Sequence, residues 1–413
     1  MQYLHKRQYR AYVSVWGTTK MHLRNPVVVA LWSAIFPGMG HILLNKYFTG
    51  FILFIWEFFI NDLSNLNEGI FYTFTGQFEA AKSVLDTSWL LFYCPMYIFA
   101  IWDSYRTAVN INSVFVLTAK EDTSINAFAM NPLGINFLNK TAPWQSALWS
   151  CFTPGAGQLV NHQIIIGFFL FGWWVVVVYL SNLLPAIHYT MQGMFENSKY
   201  TLNIQWVLNI PSILCFCIYD AYVNAVENNK LFKWEQAKFL KKEYQNLDLS
   251  FMFNMQTDRS HYMYIVTTFE QNIKLETAIT AIAMKGIPKE SILAVPLEKE
   301  SESRMLSNRA ISSDSLSLFD LPMIFAALFS LLGLIYGFML SWGPVLWALI
   351  GTGAGFGIGL VIKLISKKHQ RVKQFARIPE VVLFIQCHED QLQIVRDTLW
   401  ANQALGVAKL DNT

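Results

Sequence analysis

Three acids stand inside apolar stretches where a charge finds no water: Glu57 in "FILFIWEFFI", Asp103 in "YIFAIWDSY" and Asp220 in "ILCFCIYDAY". An acid in such a place is costly, and it either has a partner or serves an ion path. Two more polar residues, His41 and Gln158, end Pro-Gly-x-Gly stretches made of Pro37, Gly38 and Gly40, and of Pro154, Gly155 and Gly157. These stretches break apolar segments near their middle. We read Asp103 and Asp220 as anchors for the nearby glycine-rich breaks. They would act through backbone N–H groups freed after Pro-Gly, or through the side chain of His41 or Gln158. The competing chemistry is a proton or ion relay. Pro-Gly-x-Gly itself reads as a tight turn with close helix packing, ahead of a broken helix lining a cavity. Glu57 stands 117 residues before Trp174, so a path shared by both halves would need another residue. It is expected to face a cavity or a neighbouring helix.

The remaining chemistry-bearing patterns are weaker. "CHED" at 387–390 joins four metal-ligating types, but four adjacent residues at a strand end cannot all face one ion. "GTGAGFGIG" at 351–359 lacks the Lys-Ser/Thr ending of a phosphate loop and lies in an apolar run. Nucleophile-elbow and zincin motifs are absent. No catalytic residue, cofactor or metal is assigned, and no enzyme is expected.

The elements that must position the acids occur twice. "PVVVALWSAIFPGMGH" from Pro26 and "PWQSALWSCFTPGAGQ" from Pro143 lie 117 residues apart, and the register holds without a gap to Asp103 and Asp220. Identities include Trp32/Trp149, Ser33/Ser150, Gly50/Gly167, Trp56/Trp173 and Asn112/Asn229. In the connecting loops Ser64/Ser181, Asn65/Asn182, Gly76/Gly193, Glu79/Glu196 and Lys82/Lys199 also match. Loops ordinarily drift, so matching loop residues imply a hairpin with its own packing.

Composition places these elements in lipid. Of 413 residues, 54% are hydrophobic and 14% charged, and mean hydropathy is +0.32. A soluble domain carries about 25% charged residues. The 15% aromatic content suits membrane interfaces, and a net charge of +3 gives no nucleic-acid argument. Five scattered cysteines form no disulfide framework or zinc spacing. Residues 1–25 are basic, without a cleavage site, and read as a cytoplasmic start.

Segments apolar enough to enter a bilayer lie at 27–44, 47–63, 88–109, 144–161, 164–184, 203–226, 321–341 and 344–365. Lysine and arginine gather at 1–25, 227–242 and 363–377, whereas 61–87 is net acidic and 185–202 nearly neutral. The charge bias puts the basic stretches inside and the other two outside. The broken segments, 26–44 and 143–161, are therefore assigned as re-entrant or interfacial. Each copy keeps two spans, with the acid near the inner end of the second, and the copies run parallel.

The expected domains are a basic start (1–25), membrane repeat 1 (26–112), a linker (113–142), membrane repeat 2 (143–229) and a basic amphipathic helix on an anionic surface (230–256). Then come half of an α+β domain (257–299), a Ser-rich tether (300–320), a transmembrane hairpin (321–366) and the second half (367–413). Strands at 261–269 and 291–298 flank a helix at 272–286, and strands at 380–388 and 406–410 flank a helix at 390–405 with Asp390 as its N-cap. This βαβ–βαβ order is that of a ferredoxin-like sandwich. Gly333 and Gly337, and Gly351, Gly355 and Gly359, recur every four residues, which lets helices approach closely. We expect that contact inside the hairpin, with a homo-oligomer as the alternative.

Pro-Gly-x-Gly-His/Gln, a span with Gly50 or Gly167, and "IWD" or "IYD" resemble the two-transmembrane-helix domain family, in two tandem copies covering roughly half the chain. The long outer loops depart from that family's compact pattern. Its members are membrane proteins without a common activity. The last third resembles, in layout, stress-induced bacterial proteins whose small αβ domain is split by a glycine-rich membrane hairpin. The reading is a mainly α, polytopic helical membrane protein of a bacterial inner membrane, with both termini cytoplasmic. Its small α+β domain is interrupted by the hairpin. It is expected to act as a non-enzymatic scaffold, sensor or accessory subunit, touching the lipid bilayer and a protein partner at the α+β domain, with no nucleic acid. The alternative is a transporter or channel with a path between the repeats.

Overall fold

The computed structural model describes residues 10–121, 125–245, 262–297, 319–367 and 380–410. The first nine residues, 246–256 of the expected surface helix, 298–318 with nearly all of the Ser-rich tether, and 368–377 of the last basic run lie outside the described residues. The chain is mainly helical, with a small sheet. It divides into two compact units, one from the described residues within 1–137, 141–226 and 309–371, the other from those within 138–140, 227–308 and 372–413.

The first unit opens with a hairpin, β1 (Ala11–Ser14) and β2 (Gly17–Lys20). Then follow α1 (Pro26–Ile35), α2 (Met39–Leu43), α3 (Tyr47–Ser64), α4 (Leu66–Phe74), α5 (Phe78–Val84) and α6 (Thr87–Glu121). The same order recurs as β3 (Phe128–Asn131), β4 (Gly134–Phe137), α7 (Pro143–Phe152), α8 (Ala156–Val160), α9 (Ile164–Leu180), α10 (Leu183–Met191), α11 (Phe195–Thr201), α12 (Ile204–Val207) and α13 (Ile210–Tyr244). The strands of the two hairpins stand 117 residues apart, so the correspondence begins before Pro26 and Pro143. The expected linker over 113–142 is thus the end of α6 and a second hairpin. Asn136 Nδ2 ties that hairpin to the first by donating to the Ser14 carbonyl at 2.6 Å.

The chain breaks where expected. Pro26 and Pro143 sit in the first turns of α1 and α7, where a missing N–H costs nothing. Gly38 and Gly155 then take left-handed φ values of 94° and 96°. A Cβ at either would overlap a carbonyl oxygen, that of Gly50 or Gly167, on the next helix. Proline, glycine and the later glycine are therefore one device: a reversal that lays the short helix against the long one. Downstream, Asn65 and Asn182 turn the chain with φ 52° and 54°, and Lys82–Glu79 and Lys199–Glu196 pair at 3.0 and 2.7 Å. Asp86 and Asn203, also in register, accept N–H groups of Trp89 and Trp206 at 3.2 and 3.4 Å. The matching loop residues are those that shape these helical hairpins.

An aromatic seam joins α3 to α9: Phe51 stacks on Phe169 at 3.9 Å and Phe58 on Trp173 at 4.3 Å. Such pairs add about 0.5–1.5 kcal/mol each beyond the area they bury. Among the described residues three helices are long and apolar enough to cross a membrane: Ile204–Tyr244, Asp320–Gly337 and Gly343–Ile365. Two bent pairs, Phe78–Val84 with Thr87–Phe115 and Ile164–Leu180 with Leu183–Met191, raise the number to five if each is one span. The segment expected at 47–63 folds as α3 but falls outside this set; its second half carries Glu57, Asn61 and Asp62.

The hairpin of this unit is α14 (Asp320–Gly337) and α15 (Gly343–Lys367). Its glycines line the seam. A Cβ at Gly333 would overlap the Trp347 carbonyl, at Gly351 that of Phe329, and at Gly355 that of Phe325. One at Gly337 would press on Pro344, and one at Gly359 on Pro322. All five expected packing glycines thus serve the contact between these two helices.

The second unit holds the carboxy-terminal part of α13 from Glu227, then β5 (Tyr262–Phe269), α16 (Ile273–Met284), β6 (Ile292–Pro296), β7 (Val381–His388), α17 (Leu392–Ala401) and β8 (Gly406–Leu410). The strands form one antiparallel sheet in the order β6-β7-β5-β8, with Ile265 opposite Ile385 at its centre. Its core holds Phe269, Leu275, Ile279, Leu383 and Leu399.

Two local expectations are corrected. The basic helix expected on a lipid surface at 230–256 does not start as a separate element, because α13 runs unbroken from Ile210 to Tyr244. Part of its apolar face is covered by protein, whereas Phe239 is exposed: Leu240 lies in the sheet's core, and Gln236 Nε2 donates to Glu276 Oε1 at 2.7 Å. Asp390 does not cap α17. It lies in a 3-10 turn whose cap is the reciprocal pair His388 and Gln391.

Candidate functional site

The break after Gly38 delivers His41 to α6. His41 Nε2 lies 3.2 Å from Asp103 Oδ2, and both residues are buried. The carboxylate accepts only when the ring N–H is on Nε2, so the ring donates to it. His41 Nδ1 then has no hydrogen-bond partner. The other carboxylate oxygen accepts from Arg106, one helical turn on, at 2.7 Å. That guanidinium also lies over the Trp102 ring, 4.5 Å from its centroid.

The break after Gly155 delivers Gln158 to α13 in the same way. Gln158 Nε2 donates to Asp220 Oδ2 at 3.1 Å and to the Cys217 carbonyl at 2.9 Å. Asp220 Oδ1 accepts from Asn224 Nδ2 at 2.7 Å. Each acid therefore meets the side chain that ends its Pro-Gly-x-Gly stretch, as the anchor reading requires. The partner is a side chain in both cases, rather than a freed backbone N–H. The helices α6 and α13 run on past the acids to Glu121 and Tyr244. Arg106 and Asn224 were not singled out in the sequence, although spacings of three and four from an acid on a helix carry that signal.

Glu57 sits apart. Its Oε1 accepts from Asn61 Nδ2 at 3.1 Å and Tyr93 Oη at 3.3 Å. Gln205 fastens this group across the molecule, donating to the Asn61 carbonyl at 2.7 Å and accepting from the Glu68 N–H at 3.1 Å. Asn67 Nδ2 adds a bond to the Gln205 carbonyl at 2.7 Å. None of Asn61, Asn67, Tyr93 or Gln205 was picked out by the sequence reading; Glu57 and Asn61, four apart in an apolar run, were the available sign. A cavity of about 440 Å³ opens beside the group. Glu57 therefore faces a cavity, and its twin Trp174 carries no such polar group.

A further buried acid, Asp320 at the start of α14, accepts from Tyr219 Oη at 2.8 Å. "CHED" does not converge: Cys387 is buried on β7 while His388 turns into the cap of the following turn. Among the described residues no group of three His, Cys, Asp or Glu could hold a metal ion. No protein-family model matches the chain, and neither a curated protein nor a solved structure matches it.

Proposed function

We propose that this chain is a polytopic membrane protein built from two copies of a unit resembling the two-transmembrane-helix domain, and that it works without catalysis as a scaffold, sensor or accessory subunit. The observation that carries the reading is the state of Asp103 and Asp220. Each is buried in an apolar helix, and each is committed to the break of its own copy through His41 or Gln158. An acid bound in this way holds two elements together and is not free to accompany an ion. The α+β unit has the strand order of a ferredoxin-like sandwich and supplies the surface for a protein partner. The charge bias supports cytoplasmic termini in a bacterial inner membrane, with 61–87 and 185–202 on the opposite side.

A transporter with a path between the copies is the second reading. It is favoured by the cavity at Glu57, whose walls come from α1, α3, α4 and α6 of one copy, from Leu208, Asn209 and Ser212 of the other, and from α14. Crosslinking in intact membranes, with the full chain and with a chain truncated before residue 380, discriminates the two. A neighbour captured only by the full chain is the expected result. A partner-free monomer that moves protons or sodium ions in liposomes overturns the scaffold. Cysteine labelling must also find 61–87 and 227–242 on opposite faces; finding both on one face overturns the topology.

A further inference from the structure

Glu57 is an acid with one oxygen left over. The residue is 4% exposed, and Oε2 has no hydrogen-bond partner while Oε1 has two. The other polar groups of the cavity wall are already engaged. Tyr97 Oη donates to the Ala34 carbonyl at 2.6 Å, Ser212 Oγ to the Asn209 carbonyl at 2.8 Å, and Asn209 Nδ2 to the Gln205 carbonyl at 3.4 Å. What the wall still offers is therefore an acceptor. The rest is apolar, with Phe36, Leu208 and Ile324 inside and the exposed side chains of Leu31 and Leu328 at the edge.

A buried carboxylate with an unpaired oxygen is strongly unfavourable by itself, and a cation that brings N–H groups removes that cost. The cavity, about 440 Å³, falls in the range of small-molecule sites. We propose that it binds a primary ammonium carried on an apolar chain. The ammonium donates to Glu57 Oε2, and the chain runs along Phe36, Leu208 and Ile324 towards the edge at Leu31 and Leu328. Either the headgroup of an aminolipid or a free long-chain amine has this chemistry. The site is independent of whether the protein is a scaffold or a transporter.

The test uses the full chain in nanodiscs of phosphatidylcholine, whose headgroup has no N–H. Radiolabelled dodecylamine is the probe, and empty nanodiscs measure its partition into lipid. One saturable site is expected, displaced by unlabelled dodecylamine but not by dodecanol or dodecanoate. Displacement by lysophosphatidylethanolamine as well, but not by lysophosphatidylcholine, assigns the site to a lipid headgroup; displacement by the simple amine alone assigns it to a free amine. Glu57→Gln weakens binding at least about tenfold, the loss expected for a charge-assisted hydrogen bond. Ala327→Phe, which fills the cavity from α14 and keeps the acid, abolishes it. Both variants are compared only as monodisperse protein. No saturable site in the wild type, wild-type affinity in both variants, or displacement by dodecanol as effective as by the amine each overturns the proposal.

Discussion

The two acid-and-break clusters set their carboxylates in register and surround them differently. Asp103 receives a ring N–H from His41 and a guanidinium from Arg106, whose side chain is 55% exposed. Asp220 is fully buried and receives two neutral carboxamides, from Gln158 and Asn224. The common part is geometry: a left-handed glycine, a short helix and one donor reaching the acid on α6 or α13. The variable part is proton chemistry. A relay needs a group that takes up and releases a proton, and a carboxamide does neither. The feature kept in both clusters is therefore the anchor, and the imidazole is one of two ways to build it.

The strongest test of that common part is the turn. Gly38→Ala and Gly155→Ala each force a side chain into a left-handed conformation and into a neighbouring carbonyl. The first costs about 1–2 kcal/mol and the second about 1–3 kcal/mol, so each variant should lose roughly 2–5 kcal/mol in denaturant unfolding from detergent. Equal losses at the two sites are expected; a harmless change at one would show that the breaks are not alike. Next comes Asp220→Ala, which strands the Asn224 amide in a dry site and should cost about 3 kcal/mol. Asp103→Ala should cost less, about 1–2 kcal/mol, because Arg106 can turn to water and the His41 ring N–H alone loses its acceptor in a dry site. A greater loss at Asp103 than at Asp220 would reverse the order that burial imposes.

What could be read from the chain follows from what each feature needs. The breaks and the hairpin glycines are local or periodic: Pro-Gly fixes a turn, and glycine every fourth residue fixes a helix seam. The strands and helices of the sheet unit were legible from their apolar patterns for the same reason, although the cap at Asp390 was not. The two β-hairpins before Pro26 and Pro143 were not, because "AYVSVWGTTK" and "FAMNPLGINF" share one glycine, Gly17 and Gly134, and few other signs. Their likeness lies in pairing, which depends on backbone rather than residue type. The covered face of α13 was misread because amphipathicity states that a face is apolar and not what covers it. The network around Glu57 was missed for a related reason: Gln205 reaches Asn61 across 144 residues, and no spacing rule spans that distance.

The smallest expected effect is also the most discriminating. His41→Gln converts the first cluster into the donor type of the second, and Gln158 shows that a carboxamide at this position reaches the carboxylate at 3.1 Å. It also removes the buried ring nitrogen Nδ1, which has no hydrogen-bond partner. The lost ring packing and the gained amide oppose each other, so the stability change should stay within about 1 kcal/mol. Asp103→Ala made in the His41→Gln background should then cost nearly what it costs alone. A double-mutant cycle gives that comparison directly. If His41→Gln leaves folding intact but removes a cellular function that Gln158→His does not disturb, the imidazole at the first cluster does more than hold a helix, and the two clusters differ in kind.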